Sequence, residues 1–157
     1  LDSGGTTSSI LRELEESSFI RKYSAYGKKE KDHVYQLIDF YSLFYLKHIS
    51  KVANSDSTYW IDNFNSPKYF AWAGYSFELV CLTHISVIKK ALGIQGIGSE
   101  TLSWRSAEAQ IDLIIDRKDS VINLCEIKFS LGKYKLTKKY VSEIQNKINS
   151  FNLHPFT

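Results

Sequence analysis

The stretch that most constrains the fold is Ala109-Gln110-Ile111-Asp112-Leu113-Ile114-Ile115, followed after a polar turn by Val121-Ile122-Asn123-Leu124-Cys125-Glu126-Ile127-Lys128-Phe129. Between Ile111 and Ile115 every residue except Asp112 is apolar. A strand that is apolar on both faces has to be covered on both, so it belongs in the middle of a sheet. A carboxylate in such a strand is costly to bury unless it is paired or meets a cation. Asp116 to Ser120 reads as a turn, and Val121 to Phe129 as the return strand of an antiparallel hairpin. Strand alternation puts Cys125, Ile127 and Phe129 on one face and Leu124, Glu126 and Lys128 on the other. Glu126 and Lys128 then point the same way, about 6–7 Å apart along the strand. Across a hairpin of this length Asp112 shares their face, so two carboxylates and one ammonium converge.

That set of groups suits metal-assisted hydrolysis of a phosphodiester. Mg²⁺ (or Mn²⁺) takes hard oxygen ligands and keeps several waters, so one or two carboxylates plus substrate phosphate is a usual arrangement. Asp112 and Glu126 are the candidate ligands, and the backbone carbonyl of Ile127 between the two side chains offers a third oxygen. Lys128 is placed to orient the attacking water or to offset developing charge. Gln110, two positions before Asp112, is a candidate for contacting a phosphate or a metal-bound water. The plain alternative is that Glu126 and Lys128 form an ordinary surface ion pair.

The rest of the chain supplies the frame. Thr6, Thr7, Ser8 and Ser9 are N-cap candidates ahead of a helix of about three turns carrying Ile10, Leu11 and Leu14. Phe19 to Ile38 reads as a hairpin with a basic tip at Lys28, Lys29 and Lys31. A helix followed by such a hairpin is the second half of a winged helix. The alternative is a small α/β cap whose lysines only solvate a turn. Asp39 is placed to cap Phe40–Asn54, which reads as a buried helix, and a shorter helix is expected from Tyr59 to Phe64. Lys68 to Leu92 is expected to be one long helix, buried on several sides and stopped by Gly93. Glu78 is a charge near the middle of that apolar helix. On the residues alone it reads as a half-exposed residue or a structural ion pair. Lys133 to Lys138 is a basic loop, where Lys133 and Lys135 are candidate phosphate contacts. Thr137 to Phe151 is an amphipathic helix with Val141, Ile144 and Ile148 inward.

Composition excludes several classes. With 43% hydrophobic and 24% charged residues, the chain is a core-forming globular one. Its net charge is only +3, so any nucleic-acid surface has to be local. Cys81 and Cys125 sit among apolar residues with no zinc spacing, which points to reduced, buried thiols and a cytoplasmic setting. The four histidines are scattered, with no HExxH pair. No apolar run reaches the ~20 residues of a membrane span. No GxxxxGK[ST] occurs, so no ATP site of that type is expected in this sequence.

Asp112 followed by Glu126-Ile127-Lys128 resembles the motif of PD-(D/E)XK restriction-endonuclease-like enzymes, with Ile111 where the proline of the motif would stand. That family commonly carries a further acid on a preceding helix, a place that Glu78 occupies in Gly74-Tyr75-Ser76-Phe77-Glu78. Nearly the whole chain is similar to the C-terminal region of prokaryotic archaeal-type ATPases. The carrying stretches are Ile10–Ser17, Leu37–Leu46, Gly74–Glu78 and Cys125–Ser130. In that family a winged helix and a nuclease-like domain follow the P-loop ATPase domain. The resemblance implies an α/β (α+β) fold, a mixed sheet flanked by helices. It also implies a partial winged helix over 1–38, a helical connector over 39–67 and the nuclease-like domain over 68–157. It further implies DNA and the upstream ATPase domain as partners. The absence of Met and the start at Leu1 then read as a piece of a longer chain. A rival reading keeps the same fold as a non-catalytic DNA-binding or docking module.

Overall fold

The computed structural model describes residues 5–27, 33–50 and 58–153 of the chain. Helices and small antiparallel sheets make an α+β protein that divides into two units. One unit is residues 1–23 with 34–73, and the other is residues 24–33 with 74–157.

In the first unit, helix α1 covers Gly5–Glu16, so Thr6 to Ser9 lie inside the helix rather than ahead of it. Just beyond its end, Ser18 with a φ of 60° lets the Phe19 N–H donate to the Leu14 carbonyl at 2.9 Å. Strand β1, Ile20–Tyr23, then pairs antiparallel with β2, Val34–Leu37. This is the expected hairpin. Its tip, with Lys28, Lys29 and Lys31, lies outside the described residues. Asp39 caps helix α2, Phe40–Phe44, by accepting a 2.7 Å hydrogen bond from the Ser42 N–H. The helix continues as a π-helical segment, Tyr45–Ile49.

That segment is not the buried helix its apolar content suggests. Phe40, Leu46 and Ile49 are exposed, and the buried residue is His48. The wider π turn brings the imidazole among aromatic rings, with centroids 5.2–5.4 Å from those of Phe44, Trp60 and Trp72. Trp60 lies on α3, Tyr59–Asn63, and Trp72 on α4, Pro67–Thr83. Phe44, Trp60 and Trp72 also meet one another edge to face, so His48 is enclosed by an aromatic cluster.

The expected single helix from Lys68 to Leu92 is in fact two. Helix α4 ends at Thr83, and α5, Ile85–Ala91, leaves it at 75°. The cause is local. Thr83 Oγ1 donates to the Val80 carbonyl at 3.0 Å, and His84 Nδ1 lies 2.8 Å from the same oxygen. Side chains that crowd a ladder carbonyl in this way bend or end a helix. The bend leaves Phe77, Val80 and Val87 exposed, while Leu79 and Leu82 are buried. Among the described residues no single helix is long and apolar enough to cross a membrane. Gly93, with φ 70°, closes α5 as expected, and the Ile94 N–H donates back to the Lys89 carbonyl.

The second unit is built on a sheet of order β3-β4-β5, with β3 Ser99–Arg105, β4 Gln110–Arg117 and β5 Ile122–Cys125. Its ladders are antiparallel, and an isolated parallel bridge joins Ala25 to Ser103. Central β4 is apolar on both faces, as its sequence requires. Leu113 and Ile115 pack with Leu82 and Ile94. Ile111 and Ile114 pack with Trp104 and with Phe151 of α6, Lys138–Leu153. Val141, expected on the inner stripe of α6, is exposed, and the helix buries its C-terminal end instead.

Candidate active site

Strand pairing around Asp112 is irregular. Leu102 is opposite Ile114 and Trp104 opposite Ile111, so Ser103 alone faces both Asp112 and Leu113. One residue against two is a β-bulge, which bends the strand and re-aims side chains. The bulge explains how Ile111 and Ile114, three positions apart, join the same hydrophobic cluster.

On the other side of β4, β5 stops early. Its ladder ends at Cys125, opposite Leu113, where the sequence suggests a strand running on to Phe129. The reason is Asp112 itself. Its Oδ2 accepts a 2.9 Å hydrogen bond from the Ile127 N–H, so a carboxylate satisfies an amide that a continued ladder would have used. The segment beyond Cys125 stays anchored at that point. Cys125 and Ile127 pack on the Leu113 cluster, while Leu124 packs on the Trp104 cluster, in line with the expected alternation.

Glu126 collects the cations. Lys128 Nζ lies 2.8 Å from Glu126 Oε1. Lys147 Nζ, reaching in from α6, donates to both Glu126 oxygens at 2.7 Å. Lys128 also stands over the ring of Tyr140 from the same helix, 5.8 Å from its centroid. Asp112, Glu126, Lys128, Lys147 and Tyr140 therefore form one electrostatic group.

The protonation behaviour follows from this arrangement. Burial pushes the Asp112 carboxyl up, with the negative charge of Glu126 adding to it. The Ile127 amide and the two lysines pull the other way and do not cancel it. Burial acts on Glu126 in the same sense, but the hydrogen bonds from Lys128 and Lys147 outweigh it and hold that carboxyl low. Burial also tends to discharge Lys128, and its bond to Glu126 keeps the ammonium protonated above its usual range. The Tyr140 hydroxyl, buried and facing Glu126, is pushed up to about 12 and has no hydrogen-bond partner among the described residues.

Asp112, Glu126 and Lys128 are thus brought together. Glu78 sits half-buried on α4. Its charge adds to burial in pushing up the Cys81 thiol one turn on. Among the described residues no three His, Cys, Asp or Glu side chains group closely enough to hold a metal ion, so Glu78 does not make a third ligand-distance acid with the pair. Gln110 is exposed at the start of β4, paired with Arg105 of β3. Lys133 and Lys135 are exposed in the loop before α6. Cys81 and Cys125 are free, half-buried thiols. Reading the sequence alone missed Lys147 and Tyr140. The signal was present: Tyr140, Ile144, Lys147 and Ile148 share one helix face, and a lysine between two inward isoleucines is out of place there.

No protein-family model, curated protein or solved structure matches this chain significantly.

Proposed function

We propose that this unit is a PD-(D/E)XK-type nuclease domain that hydrolyses nucleic-acid phosphodiesters with a divalent metal, and that it forms the C-terminal part of a larger archaeal-type ATPase. The observation that carries the reading is the Asp112–Ile127 hydrogen bond. It fixes a half-buried carboxylate beside a second carboxylate and an ammonium at the end of the β4–β5 hairpin. The donor set, two carboxylates and the Ile127 carbonyl, consists of hard oxygens, with neither thiol nor imidazole in it, and so fits Mg²⁺ or Mn²⁺ better than a softer metal. Asp112 and Glu126 would hold the ion. When bound, it would lower the pKa of a water and stabilise charge on phosphorus. Lys128, kept protonated by Glu126, would offset developing negative charge. Asp112, fixed through the backbone, keeps its geometry without ordering a flexible side chain at the moment of binding.

One observation favours a second reading. Both oxygens of Glu126 already carry ammoniums, so the group is balanced without a metal. On that reading the domain is a docking or DNA-binding module stabilised by ion pairs. The deciding experiment is a set of paired melts in EDTA and Mn²⁺ with plasmid cleavage, for wild type and Asp112→Asn. The nuclease reading expects a metal-dependent rise in Tm and cleavage in wild type, and neither in a folded Asp112→Asn. If wild type shows no metal-dependent rise and no cleavage, the nuclease reading is wrong.

A further inference from the structure

Away from the carboxylates, between α5 and β3, the second unit has a cleft of about 560 Å³. That is within the size range of small-molecule sites. Its polar lining is Ser86, Lys89 and Lys90 from α5, Gln95 from the following turn, and Ser99 and Thr101 from β3. Among the described residues there is no acid in the lining. Ser99 and Thr101 share strand parity, so their hydroxyls face the same side of the sheet. The Ser99 hydroxyl is buried and has no hydrogen-bond partner among the described residues. Lys89 and Lys90 stand in the last turn of α5, where they offset the negative end of the helix dipole. That role accounts for lysines at a helix end. It does not account for two hydroxyls and an amide gathered opposite them around an open cleft. A net charge of two positive units, hydroxyl and amide donors, and no carboxylate is the chemistry that takes an anion with several acceptor oxygens.

We propose that this cleft binds phosphate groups. The lysines supply charge, and Ser99, Thr101 and Gln95 supply directed donors. The inference does not rest on the nuclease reading, because it uses none of the residues of the carboxylate site. A nucleic-acid strand and a small phosphate ester both carry such groups, and the test separates the two.

The test uses the whole chain and three probes: a labelled single-stranded oligonucleotide, the same oligonucleotide as a duplex, and inorganic pyrophosphate. Binding is followed by anisotropy or calorimetry across a salt series. Wild type is compared with Lys89→Ala/Lys90→Ala, which keeps good helix formers in α5, and with Thr101→Val, which removes a hydroxyl without changing charge. If the strand is the source, the double variant weakens oligonucleotide binding at least tenfold and lowers the salt slope by about two. If a small ester is the source, pyrophosphate binding falls tenfold in the double variant while oligonucleotides do not bind. In either case Thr101→Val weakens binding severalfold at unchanged salt slope. No binding of any probe by wild type, or equal binding by wild type and the double variant, overturns the proposal.

Discussion

Removing the Lys147 ammonium should destabilise the protein without metal and improve the site for metal. Lys147 donates to both Glu126 oxygens at 2.7 Å, and the two side chains are only 27% and 13% exposed. A hydrogen bond to a charged group contributes about 1.5–3 kcal/mol. Lys128 remains 2.8 Å from Glu126, so the carboxylate is not left without a cation, and the loss should stay near the low end, about 2 kcal/mol. Lys147→Met keeps the aliphatic stem against Ile144 and Ile148 and removes only the charge. At about 2–4 °C per kcal/mol for a chain of this size, Tm in EDTA should fall by about 4–8 °C. Lys128→Met is the comparison. That side chain is 44% exposed, so solvent screening reduces its contribution to about 0.5–1 kcal/mol and the melt shifts far less.

With Mn²⁺ present the gap should narrow. A cation binding Glu126 has to displace an ammonium in wild type but not in Lys147→Met. The variant should bind Mn²⁺ about tenfold more tightly, which corresponds to about 1.4 kcal/mol, and its metal-induced rise in Tm should exceed that of wild type. Scanning fluorimetry in EDTA and across a Mn²⁺ titration reads both effects. If Lys147→Met melts with wild type in EDTA, the ion pair is not a stabilising one. If its metal-induced gain is no larger than that of wild type, Lys147 and the metal do not compete for Glu126.

Two further outcomes follow from the frame. Burial, and then the nearby Lys68 and Lys47, hold the His48 imidazole below its usual pKa. The unfolded chain therefore takes up a proton below about pH 6.5 that the folded one resists, and stability present above that pH is lost as pH falls toward the folded pKa. Melts of wild type should decline between about pH 6.5 and 5, by at most about 1.4 kcal/mol per pH unit, and His48→Phe should flatten that decline. An unchanged pH profile would remove His48 as its cause. Gly93→Ala places a Cβ on a residue with φ 70° in otherwise open space, so only backbone strain is added. The cost should be about 1 kcal/mol, or about 2–4 °C in Tm, and an unchanged melt would mean the turn relaxes.

The features legible in the sequence are those set by short-range rules. The Asp39 cap, the stop at Gly93, the hairpin of β1 and β2, and the doubly apolar β4 all follow from side-chain chemistry within a few residues. The break at His84 was not legible, because apolar periodicity runs through it and the cause is two side chains competing for one carbonyl. The exposure of Phe40, Leu46 and Ile49 was not legible either. Their spacing assumes an α-helix, and the π turn rotates His48 inward instead. Lys147 is marked in the sequence only by standing between two inward isoleucines, and the partner on another element is what gives it a role.

The carboxylate pair comes together by a route that strand alternation does not describe. Strand alternation brings Asp112 and Glu126 together only if the pleat is unbroken from Gln110 to Lys128. The pleat is broken twice, by the bulge opposite Ser103 and by the end of β5 at Cys125. The two breaks are linked. An extra residue in β4 shifts the parity, and the displaced carboxylate takes the Ile127 amide that the lost ladder position would have used. The outcome is an asymmetric pair. Glu126 is neutralised by two ammoniums, whereas Asp112 has a backbone amide and a burial cost that amide does not offset. A cation arriving at this group would lower the energy of Asp112 most, while having to compete for Glu126. Asp112 is therefore the residue whose removal should erase a metal response, and Lys147 the one whose removal should strengthen it.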